Sequence, residues 1–331
     1  MITDHSQYPT TRLRRNRANA SIRALVRETH LAPDDFILPI ILCEGKALSE
    51  PVALMPGVYR HSPDQAVSLA RQAWDCGIKA VMLFPQTPAH LRNSEASEAF
   101  NPDNLVCKAT RLLREHIPDL LIICDVALDP YTDHGHDGLL RGDVIVNDET
   151  NTALIRQALV QVEAGCDTIA PSDMMDGRIG AIRAALDQHG FSDIRLLSYA
   201  VKYASQFYGP FREALGCDQL LKGDKKTYQM DPANRLEALR EVALDIAEGA
   251  DQIMVKPAMP SLDVVAMVKE QFKIPTFAYQ VSGEYAMLAF AAQAGAFDFD
   301  HAQMESLTAI RRAGADAIIS YYALDAAKHC Q

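Results

Sequence analysis

No apolar run in this chain exceeds about eight residues, far short of the ~20 needed for a helix to cross a bilayer, so a membrane span is excluded. Basic charge is also scarce. The 32 Lys and Arg face 43 Asp and Glu, and a net charge of −11 argues against a general nucleic-acid binder, which draws on clustered cations. Cysteine pairs are missing too. The seven cysteines (Cys43, Cys76, Cys107, Cys124, Cys166, Cys217 and Cys330) show no C-x-C or C-x-x-C spacing, and the chain opens without a signal-type apolar core. Reduced thiols in a cytoplasmic protein are therefore expected. No glycine-rich phosphate fingerprint follows the first apolar run, since Cys43-Glu44-Gly45 is too weak, which disfavours a two-domain doubly wound nucleotide binder.

What is present is an alternation. With 48% hydrophobic and 23% charged residues, the 331-residue chain can bury a large core. Eight short β-type runs (36–44, 80–85, 120–128, 168–173, 195–202, 252–257, 275–281 and 317–322) are separated by stretches of helical period such as 62–76, 151–164, 234–248, 262–272 and 302–313. Three helical stretches end in one phrase: Glu163-Ala-Gly-Cys-Asp167, Glu248-Gly-Ala-Asp251 and Arg312-Ala-Gly-Ala-Asp316. Eight βα units with recurring glycine stops predict an α/β protein, a TIM (β/α)8 barrel spanning 36–331. Residues 1–35 precede it as an arm. Its first 30 residues hold six arginines against Asp4 and Glu28, a net of +4 that leaves −15 for the rest, which suits an arm lying on an acidic neighbouring subunit.

A barrel places its active site at the C-terminal ends of the strands. Asp125, Asp129, Ser172, Asp173, Lys202, Lys256, Ser282 and Tyr321 all fall there. Lys202 and Lys256 end the fifth and sixth runs, so on adjacent strands ~4.8 Å apart their amines share a cleft. A second cation and burial both lower a lysine pKa, and a neutral amine attacks ketones, so the pair predicts Schiff-base chemistry. The long connection from Tyr203 to Met230 predicts a binding loop, with Arg212 and Lys225 as cations for a substrate carboxylate. The third run leads into Asp125-Val-Ala-Leu-Asp129-Pro-Tyr-Thr-Asp133-His-Gly-His136-Asp137. Four carboxylates and two histidines there can hold a divalent cation or orient amines and water. A class I aldolase would need only one lysine. A metal-dependent barrel hydrolase would want histidines where the fifth and sixth runs carry lysines.

Together these segments resemble the porphobilinogen synthases, or 5-aminolevulinic acid dehydratases. The likeness runs through Leu25-Val-Arg-Glu-Thr29, Met55-Pro-Gly-Val-Tyr-Arg60, 125–138, Ala170-Pro-Ser-Asp-Met-Met-Asp-Gly-Arg178, Phe207-Tyr-Gly-Pro-Phe-Arg212, Met254-Val-Lys-Pro257 and Tyr279-Gln-Val-Ser-Gly-Glu-Tyr285. The resemblance implies a barrel with an N-terminal arm, assembled as a homo-octamer, that condenses two 5-aminolevulinates in tetrapyrrole (heme) synthesis. Lys256 would form one imine and Lys202 hold the second substrate. Asp125, Asp129 and Asp137 would bind the free amine and move protons; Arg212, Lys225 and Gln229 would take one carboxylate. Ser282 and Tyr321 would take the other, with Ser172 and Tyr279 beside them. Members with catalytic zinc carry three cysteines where Ala127, Asp129 and Asp137 stand here, so no zinc is expected. Glu241 matches a carboxylate that holds an activating Mg2+ outside the active site in the aspartate-rich branch. Lys225 and Ser261 depart from the arginine and tyrosine usual at their positions.

Overall fold

A computed structural model describes residues 7–216, 220–221 and 223–330. Cys217 lies outside them, as do parts of the Tyr203–Met230 loop and the first six residues. Eight parallel strands form the barrel: β1 Phe36–Leu42, β2 Ala80–Pro85, β3 Leu121–Val126, β4 Thr168–Pro171, β5 Arg195–Lys202, β6 Gln252–Lys256, β7 Thr276–Gln280 and β8 Ala317–Ser320. Neighbours pair in sequence order, and β1 closes on β8 with Phe36 opposite Ile318 and Ile37 opposite Ile319. A strand with helices on one face and the barrel interior on the other is buried on both. All seven residues of β1 are buried accordingly, and β5 is buried after its first residue.

The helices of seven or more residues are α1 Pro63–Asp75, α2 Leu105–His116, α3 Asn147–Glu163, α4 Arg178–Gln188, α5 Leu236–Ala247, α6 Leu262–Phe272, α7 Ser282–Gln293, α8 Phe299–Ala313 and α9 Ala323–His329. They turn narrow apolar stripes inward, as Ala66, Ala70 and Ala73 do on α1. The repeated phrase has a physical role at the opposite end from the site. Its glycines, Gly165, Gly249 and Gly314, take φ between +105° and +115°, which ends the helix. Its aspartates then satisfy backbone N–H groups at the entry to the preceding strand: Asp167 accepts from Ile122 N at 2.8 Å, Asp251 from Leu196 N at 2.8 Å and Asp316 from Thr276 N at 2.7 Å.

Two features differ from the sequence reading. Six of the eight strands are shorter than the apolar runs by one to three residues, because run ends such as Ala127-Leu128 turn off the sheet into loops, while 80–85 and 195–202 match their strands. Two hairpins of three-residue strands, Ser49–Pro51 with Tyr59–His61 and Leu139–Arg141 with Val144–Val146, are also present. Three residues carry too little periodicity to be read as a strand. In the arm, Leu13–Arg17 forms a 3-10 turn and Ala20–Leu25 a short helix, and Tyr8, Leu13 and Leu25 are exposed. No helix among the described residues is long and apolar enough to cross a membrane.

Candidate active site

The ends of β5 and β6 lie side by side, with Lys202 and Lys256 as direct register partners. Both side chains are buried, yet their surroundings are opposite in character. Lys202 Nζ donates to Asp137 Oδ1 at 2.9 Å and to the Ser172 carbonyl. Lys256 Nζ stands among aromatic rings, 4.6 Å from the centroid of Tyr279, 5.0 Å from Tyr208, 5.2 Å from Tyr199 and 5.4 Å from Phe211.

Those surroundings decide the charge. Ring faces favour a cation by about 1–2 kcal/mol, whereas taking an ammonium out of water costs several kcal/mol. Burial therefore wins, the Lys202 cation adds to it, and the Lys256 pKa falls to about 7 against the attraction of Asp125, Asp129 and Asp137. Asp125 moves the other way. Burial pushes its carboxyl up to about 7 despite Lys202, Lys256 and a hydrogen bond from Ser172 Oγ at 3.1 Å. An amine and a carboxyl poised near neutrality in one cleft can each give or take a proton during a reaction at neutral pH.

Asp137 is the charged counterpart. Burial opposes its ionisation, but Lys202 and Lys225 outweigh that and hold its pKa below the usual carboxylate range. Lys225 Nζ lies 2.6 Å from Asp137 Oδ2 and 3.2 Å from Asp129 Oδ2, and the Tyr228 hydroxyl donates to Asp137 Oδ2 at 2.9 Å. The loop lysine that the sequence assigns to a substrate carboxylate is thus paired here with the chain's own carboxylates. Arg212 is half-buried and donates to Ser205 O at 3.4 Å.

On the far side, the Tyr279 and Tyr321 hydroxyls meet at 3.1 Å. Ser282 opens α7 and accepts from Phe211 N at 3.0 Å. The His134 and His136 rings sit with centroids 5.7 Å apart, and His136 Nδ1 meets the Tyr228 hydroxyl at 3.1 Å. No group of three or more His, Cys, Asp or Glu among the described residues is arranged to hold a metal. Asp173 has other partners: it accepts from Met175 N at 2.7 Å and lies 3.8 Å from the buried Arg178, which also reaches Asp245.

Glu241 belongs to a different place. It lines a cavity of about 630 Å3 outside the barrel, together with Asp143, Asp176, Asp231 and Glu237; Gln229, whose backbone N donates to Lys225 O at 2.8 Å, borders the same cavity. Burial and then the neighbouring Asp245 raise the Glu241 pKa. Tyr228 also lines this cavity, so one residue touches both regions.

Sequence reasoning missed the aromatic walls Tyr199, Tyr208 and Phe211, and it missed Tyr228. Tyr199 sits inside an apolar strand where an aromatic reads as core. Tyr208 and Phe211 stood within a quoted motif, but only tertiary packing turns them towards Lys256.

The comparisons agree with this geometry. Residues 10–329 match the family model described as delta-aminolevulinic acid dehydratase. The chain is 58% identical over 317 residues to the delta-aminolevulinic acid dehydratase of Bradyrhizobium diazoefficiens, covering 96% of this chain and 90% of the relative. The Rhodobacter capsulatus enzyme of that name is 49% identical, with 97% of each chain covered. Among solved structures, delta-aminolevulinic acid dehydratase (porphobilinogen synthase) from Toxoplasma gondii, in complex with the reaction product porphobilinogen, superposes with a TM-score of 0.94 at 47% identity, covering 96% of this chain and 91% of that one. A barrel with two register-paired lysines over an aspartate-rich loop, matched along nearly its whole length, belongs to the delta-aminolevulinic acid dehydratase family.

Proposed function

We propose that this chain is a hydro-lyase that condenses two 5-aminolevulinates to porphobilinogen with loss of two waters. The observation that carries it is the pairing of Lys256, with its pKa near 7, and Lys202 on adjacent strand ends. Neutral Lys256 attacks the ketone of one substrate; water leaves and an imine forms. Lys202 holds the second substrate and forms an imine with its ketone in the same way, with loss of the second water. An imine acidifies the adjacent C–H, so deprotonation yields an enamine that attacks the other substrate's imine carbon, and the lysine on that carbon leaves as an amine; the free substrate amine then displaces the remaining lysine to close the ring. Asp125 is the group poised to take and return those protons, while Asp129 and Asp137 orient the free amine. Arg212, Lys225 and Gln229 receive one substrate carboxylate, with Lys225 released from Asp129 and Asp137 as it arrives. Ser282 and Tyr321, with Tyr279, receive the other, and Ser172 keeps Asp125 in place. Borohydride added with 5-aminolevulinate tests the reading: peptide masses should show a reduced adduct on Lys256, together with pyrrole formation in its absence. No adduct on either lysine would refute it.

The donor set argues against zinc in the cleft. Ala127 contributes a methyl group, and Asp129 and Asp137 are engaged by Lys225 and Lys202. The Glu241 cavity fits magnesium, which keeps most of its waters and asks few ligands of a protein. Glu241 would bind the ion directly, and the acids around it would hold its waters; the ion would supply charge neutralisation outside the barrel, felt through Tyr228. Self-association as a homo-octamer accounts for the arm, 1–35, whose exposed Tyr8, Leu13 and Leu25 sit among arginines. The free thiols, Cys43, Cys107, Cys124 and Cys166 among them, suit a cytoplasmic setting.

A further inference from the structure

The first turn of α7 grips both connections that follow the lysines. After β5, Ser282 takes hold of 206–211: its hydroxyl accepts from Phe211 N and donates to Phe207 O at 3.2 Å. Gly283 makes that approach possible, since a Cβ there would lie 2.5 Å from Phe207 O. After β6, Glu284 takes hold of 258–259. Its carboxylate accepts from Met259 N at 2.6 Å, Ala258 N at 3.2 Å and Val281 N at 2.7 Å. The first two donors lie just past Lys256-Pro257, and the third is the N-terminus of α7.

Glu284 is fully buried. Three converging N–H donors require an acceptor-only group. A glutamine of the same shape would turn N–H against N–H and leave buried donors unpaired. The chemistry assigned above does not use this carboxylate, and a buried acid is disfavoured unless its hydrogen bonds compensate. Among the described residues its hydrogen bonds are all to backbone, just past the lysine and just before the substrate-facing serine.

We propose that Glu284 is a positioning residue for Lys256, fixing the backbone just beyond β6 so that the amine points into the aromatic pocket in register with Ser282. This rests on the reading of Lys256 as an imine-forming amine. A displacement of about 1 Å in a reacting group can slow a reaction ~100-fold, so local loosening at Ala258-Met259 should be visible.

The test is the ratio of borohydride trapping rates at Lys256 and Lys202, measured by peptide mass spectrometry with 5-aminolevulinate in the wild type, Glu284→Gln and Glu284→Asp. Glu284→Gln should slow trapping at Lys256 by roughly 10- to 100-fold while trapping at Lys202 changes little. Glu284→Asp keeps the charge but loses reach, and should slow Lys256 to a lesser degree; it decides the matter should Glu284→Gln fail to fold. An unchanged ratio, with an adduct on wild-type Lys256, overturns the positioning role alone. Absence of an adduct on wild-type Lys256 overturns the imine reading and this role with it.

Discussion

The ends of β5 and β6 carry the same residue at the same height, and the molecule treats the two amines differently. Lys202 has a carboxylate at 2.9 Å and a backbone carbonyl, whereas the Lys256 amine has four aromatic rings within 5.4 Å and, among the described residues, no carboxylate or carbonyl as hydrogen-bond partner. One environment solvates an ammonium and the other withholds solvation. The lesson is that strand position delivers an amine to the cleft, but its neighbours choose its protonation state. Each neighbour also depends on the pair, since the Lys202 charge lowers the Lys256 pKa.

The largest effect should come from removing the amine without a counter-ion. Lys256→Ala should reduce turnover by several orders of magnitude in a steady-state pyrrole assay, as expected on loss of a covalent nucleophile. Next is the group that makes the Lys202 side ionic. Asp137→Asn leaves Lys202 and Lys225 short of buried negative charge and should destabilise the fold by about 3–5 kcal/mol in denaturant titrations.

Identical substitutions should then have opposite signs. Lys256→Met removes a buried amine whose pKa drops from 10.5 to about 7 on folding. The unfolded chain holds that proton more tightly between these values, so wild-type stability rises with pH across the window. Lys256→Met should therefore stabilise the fold by on the order of 3 kcal/mol near pH 7, and less as pH rises. Lys202→Met should destabilise by about 1–3 kcal/mol, because Asp137 keeps Lys225 and Tyr228 but loses one partner. Equal signs would break the comparison. The smallest effect should fall on the cavity outside the barrel, where Glu241→Ala should abolish magnesium stimulation and magnesium binding by calorimetry.

Much of the site was legible because barrel geometry converts sequence position into spatial position. Any polar residue closing a β-type run arrives at one rim, so Asp125, Ser172, Lys202 and Lys256 could be grouped from spacing alone. Glu284 was not legible in that way. It lies in the first turn of α7, three residues after Val281, where a glutamate reads as an ordinary cap, and only the fold shows that it also takes Ala258 N and Met259 N from another unit. Lys225 was read by charge as a substrate ligand, and its partners Asp129 and Asp137 lie about 90 residues earlier in the chain.

By itself, the sequence determined the number and order of the barrel strands, the helix stops at Gly165, Gly249 and Gly314, and the residue types at the rim. These follow from local periodicity and from φ/ψ preferences, which act over a few residues. Only the tertiary structure decided that the Lys256 pKa falls, that Asp137 ionises more readily than Asp125, and which carboxylate braces the backbone. Burial and the distances between charges govern those outcomes, and both arise only when segments far apart in the chain are packed together.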